Sequence, residues 1–524
     1  MIKKIFYSLL LALLVNKIGI KFKKWVLIND QLDFKKFDFE NSEEIKKIFF
    51  TKKYINRKYY DQNSINYHNF NWINFARNIG GADIIALTKK HILNWKIKKY
   101  SFFSYVWNSE IISKRLINLI YNYDFYSVTA NKKEKDDINE LIYIHFFALL
   151  IYKKISKELT NRSIEILKSI LLIELIQKGD PLKTINLISE HIYKSLNKQG
   201  IHNSLNPCEH AEYINNLYEI KSILLFFNQE VSKEIDFQLL NMSAILKNSF
   251  HNDGTIALFN GSNNSNIDMI KKLINLSGDI KPKNIVNPDN GLIILNFKKI
   301  KFFFDVAKPN NKFISNNIHA GTLSFEISYD KEKIITNCGS FEKRIGSTPE
   351  YLRYSAAHST ITLNNTNISE LIEKKSYRRI PSKVSLSFDE NDEYFSWESA
   401  HDGYSKNFNK IIKRKILISK NKFKILGNDT VISTRINKKQ YLVTARFHLT
   451  PVCSALMTSK KSSVLIKTNN NNSFIFESDN KVSLEESIYI NNGKRIEKTR
   501  QIVISSYTSS PKKNIKWSIS RITK

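Results

Sequence analysis

At 524 residues the chain is too long for one ordinary core, so two large domains are the natural expectation. Hydrophobic residues make up 42%, ample for packed interiors, and only 15 glycines and 9 prolines exclude fibrous and low-complexity classes. Lys and Arg number 81 against 49 Asp and Glu, a net charge of +32 that draws polyanions. The basic residues are scattered rather than gathered into a stripe, which argues against nucleic acid as the partner and leaves an acidic substrate compatible.

The chain opens "MIKKIFYSLLLALLVNKIGIKFKKW". Lys3 and Lys4 precede an apolar run from Ile5 to Val15 that has export-signal proportions but is too short to span a bilayer. No small-x-small cleavage site follows. Residues 1–40 therefore read as an uncleaved export signal of a cell-envelope or periplasmic protein, as an amphipathic helix in peripheral contact with a membrane, or as the plain first helix of a cytoplasmic one.

From residue 41 to 249 the pattern is helical. "NFNWINFARNIGGADIIALTKKHILNWKI" gives two helices split at Gly80-Gly81, and "NSEIISKRLINLIYNY" places Ile111, Ile112, Leu116 and Ile120 on one face. "DDINELIYIHFFALLIYKKISKEL" is nearly apolar through its middle. Then follow "NRSIEILKSILLIELIQKG", "DPLKTINLISEHIYKSLNKQG" and "NPCEHAEYINNLYEIKSILLFFNQ", helices joined by short Gly/Asn/Asp/Pro turns. Such pairs fit an α/α bundle or incomplete toroid. Trp72, Trp95 and Trp107 can stack on sugar rings, although core packing is the ordinary fate of aromatics in helices.

Near His251 the period changes. "HNDGTIALFNGSNNS" reads as turn, strand, turn, and about a dozen short strands follow to the C-terminus, predicting a large antiparallel β-sandwich over 250–524. In "NNIHAGTLSFEIS", Leu323, Phe325 and Ile327 alternate with Ser324, Glu326 and Ser328, the period of a half-buried strand. His319 stands just ahead of it. The cysteines, Cys208, Cys338 and Cys453, lie far apart with no CxxC, so they form neither a disulfide framework nor a zinc cluster by themselves.

Three segments in order, "HAGTLSFEIS", "IITNCGSF" and "YSAAHSTITL", resemble the heparinase II/III family of polysaccharide lyases, as does "DGTIALFNGS". "FNWINFARNIGGADIIALTKKHILNW" and "NKQGIHNSLNPCEHAEYINNLYEIKSIL" look like its toroid repeats, so the likeness runs from about residue 65 onward. It fits best with a bacterial subgroup in which Gly and Asn replace the family's usual Asp residues. The resemblance implies a helical toroid followed by the sandwich, a cleft between them, and β-elimination on a uronic-acid-containing polysaccharide.

It also implies a metal held by the positions matching His319, Asn337 and His358. Imidazole with an oxygen ligand suits Zn²⁺ or another divalent cation, but Asn337 supplies no charge, and a hydrogen-bonded cluster without metal is the rival arrangement. Elimination needs donors for the substrate carboxylate, a base, and a proton for the leaving oxygen. The family's Asn-His pair matches Asn161-Arg162, its Tyr matches Glu209, and its sandwich His matches Asn317. Arg162 neutralises a carboxylate but is a poor base. Asn161 also suits an N-cap, and "NPCE", with Asn206, Pro207 and Glu209, has the pattern of a helix start. His202, Asn206, His210 and Asn161 are thus the candidate catalytic residues. Tyr213, one turn beyond His210, joins Arg162 and Arg353 as candidate substrate contacts. His319 reads as an organiser of its strand face rather than the proton carrier. The alternative is a protein of glycan binding or envelope-polysaccharide assembly that keeps the fold without the base.

Overall fold

The computed structural model describes residues 65–98, 100–155, 163–289, 291–309, 318–341, 350–372, 376–435, 439–470, 472–508 and 511–522. The N-terminal segment 1–40 and the candidates Asn161, Arg162 and Asn317 lie outside the described residues. The chain forms two compact units, Met1–Ile192 with Ser222–Glu230, and Tyr193–Lys221 with Val231–Lys524.

The first unit is helical: α1 (Trp72–Ile79), α2 (Ala82–Ile97), α3 (Ser109–Tyr121), α4 (Lys132–Ile155), α5 (Ser163–Ile176) and most of α6 (Leu182–Ser195). Gly80 and Gly81 both take positive φ, which breaks α1 from α2 as their residue type permits. Apolar faces meet around α3, which packs on α4 and α5. At its centre Arg115 is fully buried, its guanidinium 4.1 Å from the Trp95 ring, with Nε donating to His145 Nε2 at 2.5 Å. Trp72, Trp95 and Trp107 are all buried here, so they serve the core. A toroid for these helices stays an expectation.

The second unit joins α7 (Pro207–Phe226, up to Lys221), α8 (Lys233–Asn248) and α9 (Ile267–Leu276) to a β-sandwich. One eight-stranded sheet has the order β1 (Leu292–Phe297), β2 (Ile300–Asp305), β3 (Phe325–Tyr329), β4 (Glu332–Thr336), β12 (Leu442–Leu449), β17 (Glu497–Tyr507), β16 (Val482–Tyr489), with β5 (Ile361–Leu363) also on β12. The other runs β13 (Cys453–Met457), β14 (Ser463–Thr468), β15 (Ser473–Ser478), β18 (Lys512–Ile522), β11 (Lys424–Ser433), β10 (Lys410–Ser419), β9 (Tyr394–His401), β8 (Val384–Glu390). Every pairing of named strands is antiparallel, and β6 (Glu370–Ile372) with β7 (Ser376–Arg379) forms a small separate hairpin. Phe302, Phe325, Trp397, Phe447 and Trp517 fill the space between the sheets. A second apolar cluster, including Ile201, Leu205, Ile245, Phe259 and Phe303, seats the loop before α7, together with α8, against the outer face of β1 and β2.

Two local expectations change. The strand after His319 begins at Phe325 rather than Leu323, because Leu323 takes φ +63° and its N–H turns to Asp305. Its polar face is not solvated either: Ser324, Glu326 and Ser328 are as buried as Phe325 and Ile327. The segment covering that face is "DGTIALFNG", which turns at both ends and makes one isolated bridge, Phe250 to Ile256, instead of a strand. All three cysteines are free.

Candidate functional site

The start of α7 is built by Asn206. Its Oδ1 accepts the N–H groups of Cys208 (2.8 Å) and Glu209 (3.2 Å), satisfying the orphan donors of the first turn. Its Nδ2 donates to the Asn260 carbonyl at 2.8 Å, and Asn260 returns a bond from its own amide to Leu205 O. Asn260 Oδ1 then accepts the His319 N–H at 3.1 Å. Leu205 and Asn260 both adopt left-handed backbone, a costly choice for leucine that the paired amides enforce. One amide chain, Asn206–Asn260–His319, thus ties the helix start to the loop that carries His319.

His202 and His210 sit behind this link. His210 Nδ1 accepts the His202 N–H (3.3 Å) and its Nε2–H donates to Met242 O (2.9 Å), so backbone groups take both ring nitrogens. Burial pushes His210 down to about 4. His202 Nδ1 lies 2.8 Å from Ser204 Oγ, and the His202 ring lies 5.2 Å from that of Tyr213. Burial raises the Tyr213 phenol, against a bond to Ser195. These four side chains do converge, and all are buried.

Of the three positions matched to a metal, His319 and His358 meet directly, while Asn337 bonds the backbone of Ser359, the residue after His358. His319 Nδ1 is 3.1 Å from His358 Nε2, with the rings edge to face. His358 Nδ1 is 2.9 Å from Tyr354 O; a carbonyl only accepts, so the proton sits on Nδ1 and Nε2 presents a lone pair. That lone pair takes the Nδ1–H of His319, leaving the second lone pair on His319 Nε2, which makes no hydrogen bond among the described residues. Burial, then His358 and the Arg353 guanidinium, holds His319 well below the ordinary histidine range, and burial brings His358 to about 4. Arg353 donates Nε–H to Ile318 O at 3.3 Å. Asn337 lies one residue before Cys338 at the end of β4. Its Oδ1 accepts Ser359 N–H (3.0 Å) and its Nδ2 donates to Leu258 O (3.1 Å).

The loop 318–323 is sewn to 353–360 by Ala320 N–H to Arg353 O, Ser355 Oγ to Ala320 O and Thr360 Oγ1 to Thr322 O. Gly321 is needed here, because a Cβ would stand 2.8 Å from the His358 ring. Below lies a buried ionic group that sequence reading missed. Glu326 Oε2 accepts His251 Nε2–H (2.9 Å) and Leu258 N–H (3.1 Å); its Oε1 accepts Thr336 Oγ1–H and Asn337 N–H, both at 2.9 Å. Lys333 Nζ stands 3.9 Å away. Burial opposes the Glu326 charge, but Lys333 and His251 outweigh it and hold the carboxyl at about 2. Arg414 was missed too. It forms a buried bidentate pair with Asp429 at 2.7 and 2.8 Å and gives Nη1 to the carbonyls of Leu323 and Ser359. The only sequence signal for Glu326 was its small neighbours, Ser324 and Ser328, which suit a covered face.

The set His319, Asn337 and His358 does not fit a divalent cation. The surroundings of Asn337, one N–H and one carbonyl, complement an amide, whereas a carboxylate would face Leu258 O with an oxygen. Nor do the described residues contain a group of three or more His, Cys, Asp or Glu arranged to hold a metal.

Residues 281–518 match the family model "Heparinase II/III-like, C-terminal". Among solved structures, a heparan sulfate lyase from Pedobacter heparinus is similar at 14% identity and TM-score 0.64, over 87% of this chain and 76% of that one. A heparinase III is similar at 14% identity and TM-score 0.68, over 88% and 77%. At that identity the likeness is one of fold. No curated protein matches the chain. Residues 281–518 are thus a heparinase II/III-like C-terminal domain, and most of the chain shares the fold of those two lyases.

Proposed function

We propose that the protein is a polysaccharide lyase that cleaves an acidic, uronate-containing glycan by β-elimination. The observation that carries this is the amide chain from Asn206 through Asn260 to His319, which unites the family-matched helix start with the family-matched strand loop. Elimination removes the proton beside the uronate carboxylate, places charge on that carboxylate, and expels the glycosidic oxygen, which takes up a proton. Arg353 suits the carboxylate: Nε is spent on Ile318 O, and its terminal nitrogens make no hydrogen bond among the described residues. Next to it stands His319, read from the sequence as an organiser and not the proton carrier; we assign it the base instead, because it presents the Nε2 lone pair with its other nitrogen fixed by His358. His202, His210 and Tyr213 support the helix start that positions Asn260. The net charge of +32 favours approach of an anionic chain. Placement in the cell envelope goes with this reading, where such polysaccharides are met.

The test is a panel of uronate polysaccharides read by the ultraviolet absorbance of the unsaturated sugar end. Wild type should raise it on at least one member. His319→Ala should lower the rate by about 10²-fold or more, in the range for loss of a general base. No absorbance on any member, together with glycan retained on the protein, would overturn the lyase and establish the glycan-binding alternative.

A further inference from the structure

We propose that the metal position of the family is, in this chain, a metal-independent hydrogen-bonded knot. Its three side chains are locked by bonds that a cation would have to break. His319 Nδ1 and His358 Nε2, the two nitrogens 3.1 Å apart, share one proton; the tautomer follows from the Tyr354 carbonyl on the far side of His358. A cation bound by both nitrogens would displace that proton. Asn337, between Ser359 N–H and Leu258 C=O, uses its amide in both senses, so a bond to each backbone group replaces the charge a carboxylate would bring.

The electrostatics point the same way. Two imidazoles and an amide offer no negative charge, and the buried Arg353, bonded to the carbonyl of Ile318 just before His319, brings a positive one. The carboxylate bonded to this group, through the Asn337 N–H, is Glu326, and four donors already occupy its oxygens: Thr336 Oγ1, Asn337 N, His251 Nε2 and Leu258 N. A dication here would lie beside a guanidinium while the oxygens of Glu326 are already taken by those four donors, which low dielectric makes costly. What a metal does structurally elsewhere, joining separate strands, is done here by the shared proton between loop 318–323 and the turn at His358, and by the Asn337 amide between β4 and the segment at Leu258.

The experiment uses the full chain. Metal content of purified protein, measured after dialysis against Zn²⁺ and then metal-free buffer, should be far below one equivalent. The melting temperature should be unchanged by chelator or by added Zn²⁺. Asn337→Asp is the contrasting variant, expected to melt lower without metal and to rise when Zn²⁺ is added. Nitrogen NMR of the histidine rings should show a proton on His319 Nδ1. Close to one equivalent of metal in the wild type, lost in His358→Gln, would overturn the proposal, as would a wild-type melting temperature that falls on chelation. None of these readouts depends on cleavage of a glycan, so the knot and the lyase can fail separately.

Discussion

A single methyl group tests how tightly the His319–His358 pair is held. In Gly321→Ala the new Cβ would meet the His358 ring at 2.8 Å, against side-chain atoms pinned by Tyr354 O and His319. The substitution should cost about 1–3 kcal/mol, the usual range for overpacking, and any glycan cleavage should fall with it; an unchanged denaturation midpoint would show that the pair yields freely. Asn206→Ala removes two cap bonds and the bond to Asn260 O. About 1 kcal/mol is expected from the cap and a further ~1 kcal/mol from the lost tertiary bond, read by chemical denaturation. At this scale the sequence was informative where local chemistry decides: Asn206 before Pro207 announced its cap. It was silent on which nitrogen of His210 or His358 carries the proton, since that depends on carbonyls 4 to 32 positions away.

Between elements, the decisive contact is Arg414. It leaves β10, pairs with Asp429 on the neighbouring β11, and crosses the sandwich to the carbonyls of Leu323 and Ser359, which flank the loops of His319 and His358. Trp517 Nε1 on β18 donates to the same Asp429 at 3.0 Å. Breaking such a pair leaves a buried charge uncompensated, so Arg414→Ala should lose about 3–5 kcal/mol. Arg414→Met with Asp429→Leu should lose less, because neither charge then remains. If the double variant is the worse of the two by thermal unfolding, the penalty lies in the carbonyl contacts rather than the ion pair. Strands β10 and β11 were legible from their alternation. That the fully buried Arg414 links the two layers was not, because a charged residue on the inward register looks like a misplacement until its partner is known.

For the whole molecule, buried neutral histidines set the acid limit. His210, His251 and His358 are brought to about 4, and His401 and His448 to about 3, in each case first by burial. Their ordinary value is 6.5, so the unfolded chain takes up protons first as pH falls. Stability is full above about pH 6.5 and declines from there toward pH 4, each histidine adding up to about 1.4 kcal/mol per pH unit in that window. Glu326, held at about 2, adds its loss only below its unfolded value of 4.5. The melting temperature should therefore drop between pH 7 and pH 5; Asp305, which burial raises to about 7, gains its proton first in the folded state and works against the drop, but one such group does not offset five histidines. A flat profile across that interval would mean these rings are not buried neutral.

By itself the sequence determined the class of the protein. Period-two apolar alternation, turn residues at short intervals and a helical first half require a helical region followed by a sandwich, because each pattern buries its apolar face in only one way. The spaced His-Ala, Asn-Cys-Gly and Ala-His-Ser-Thr motifs were enough to point to the heparinase II/III-like domain that residues 281–518 match. Only the tertiary structure decided what those motifs do. The protonation of His319 and His358, the amide bonds of Asn337 and the commitment of Glu326 to four donors all depend on groups brought together from distant segments. Hydrogen-bond capacity belongs to a residue, but how it is spent belongs to the fold.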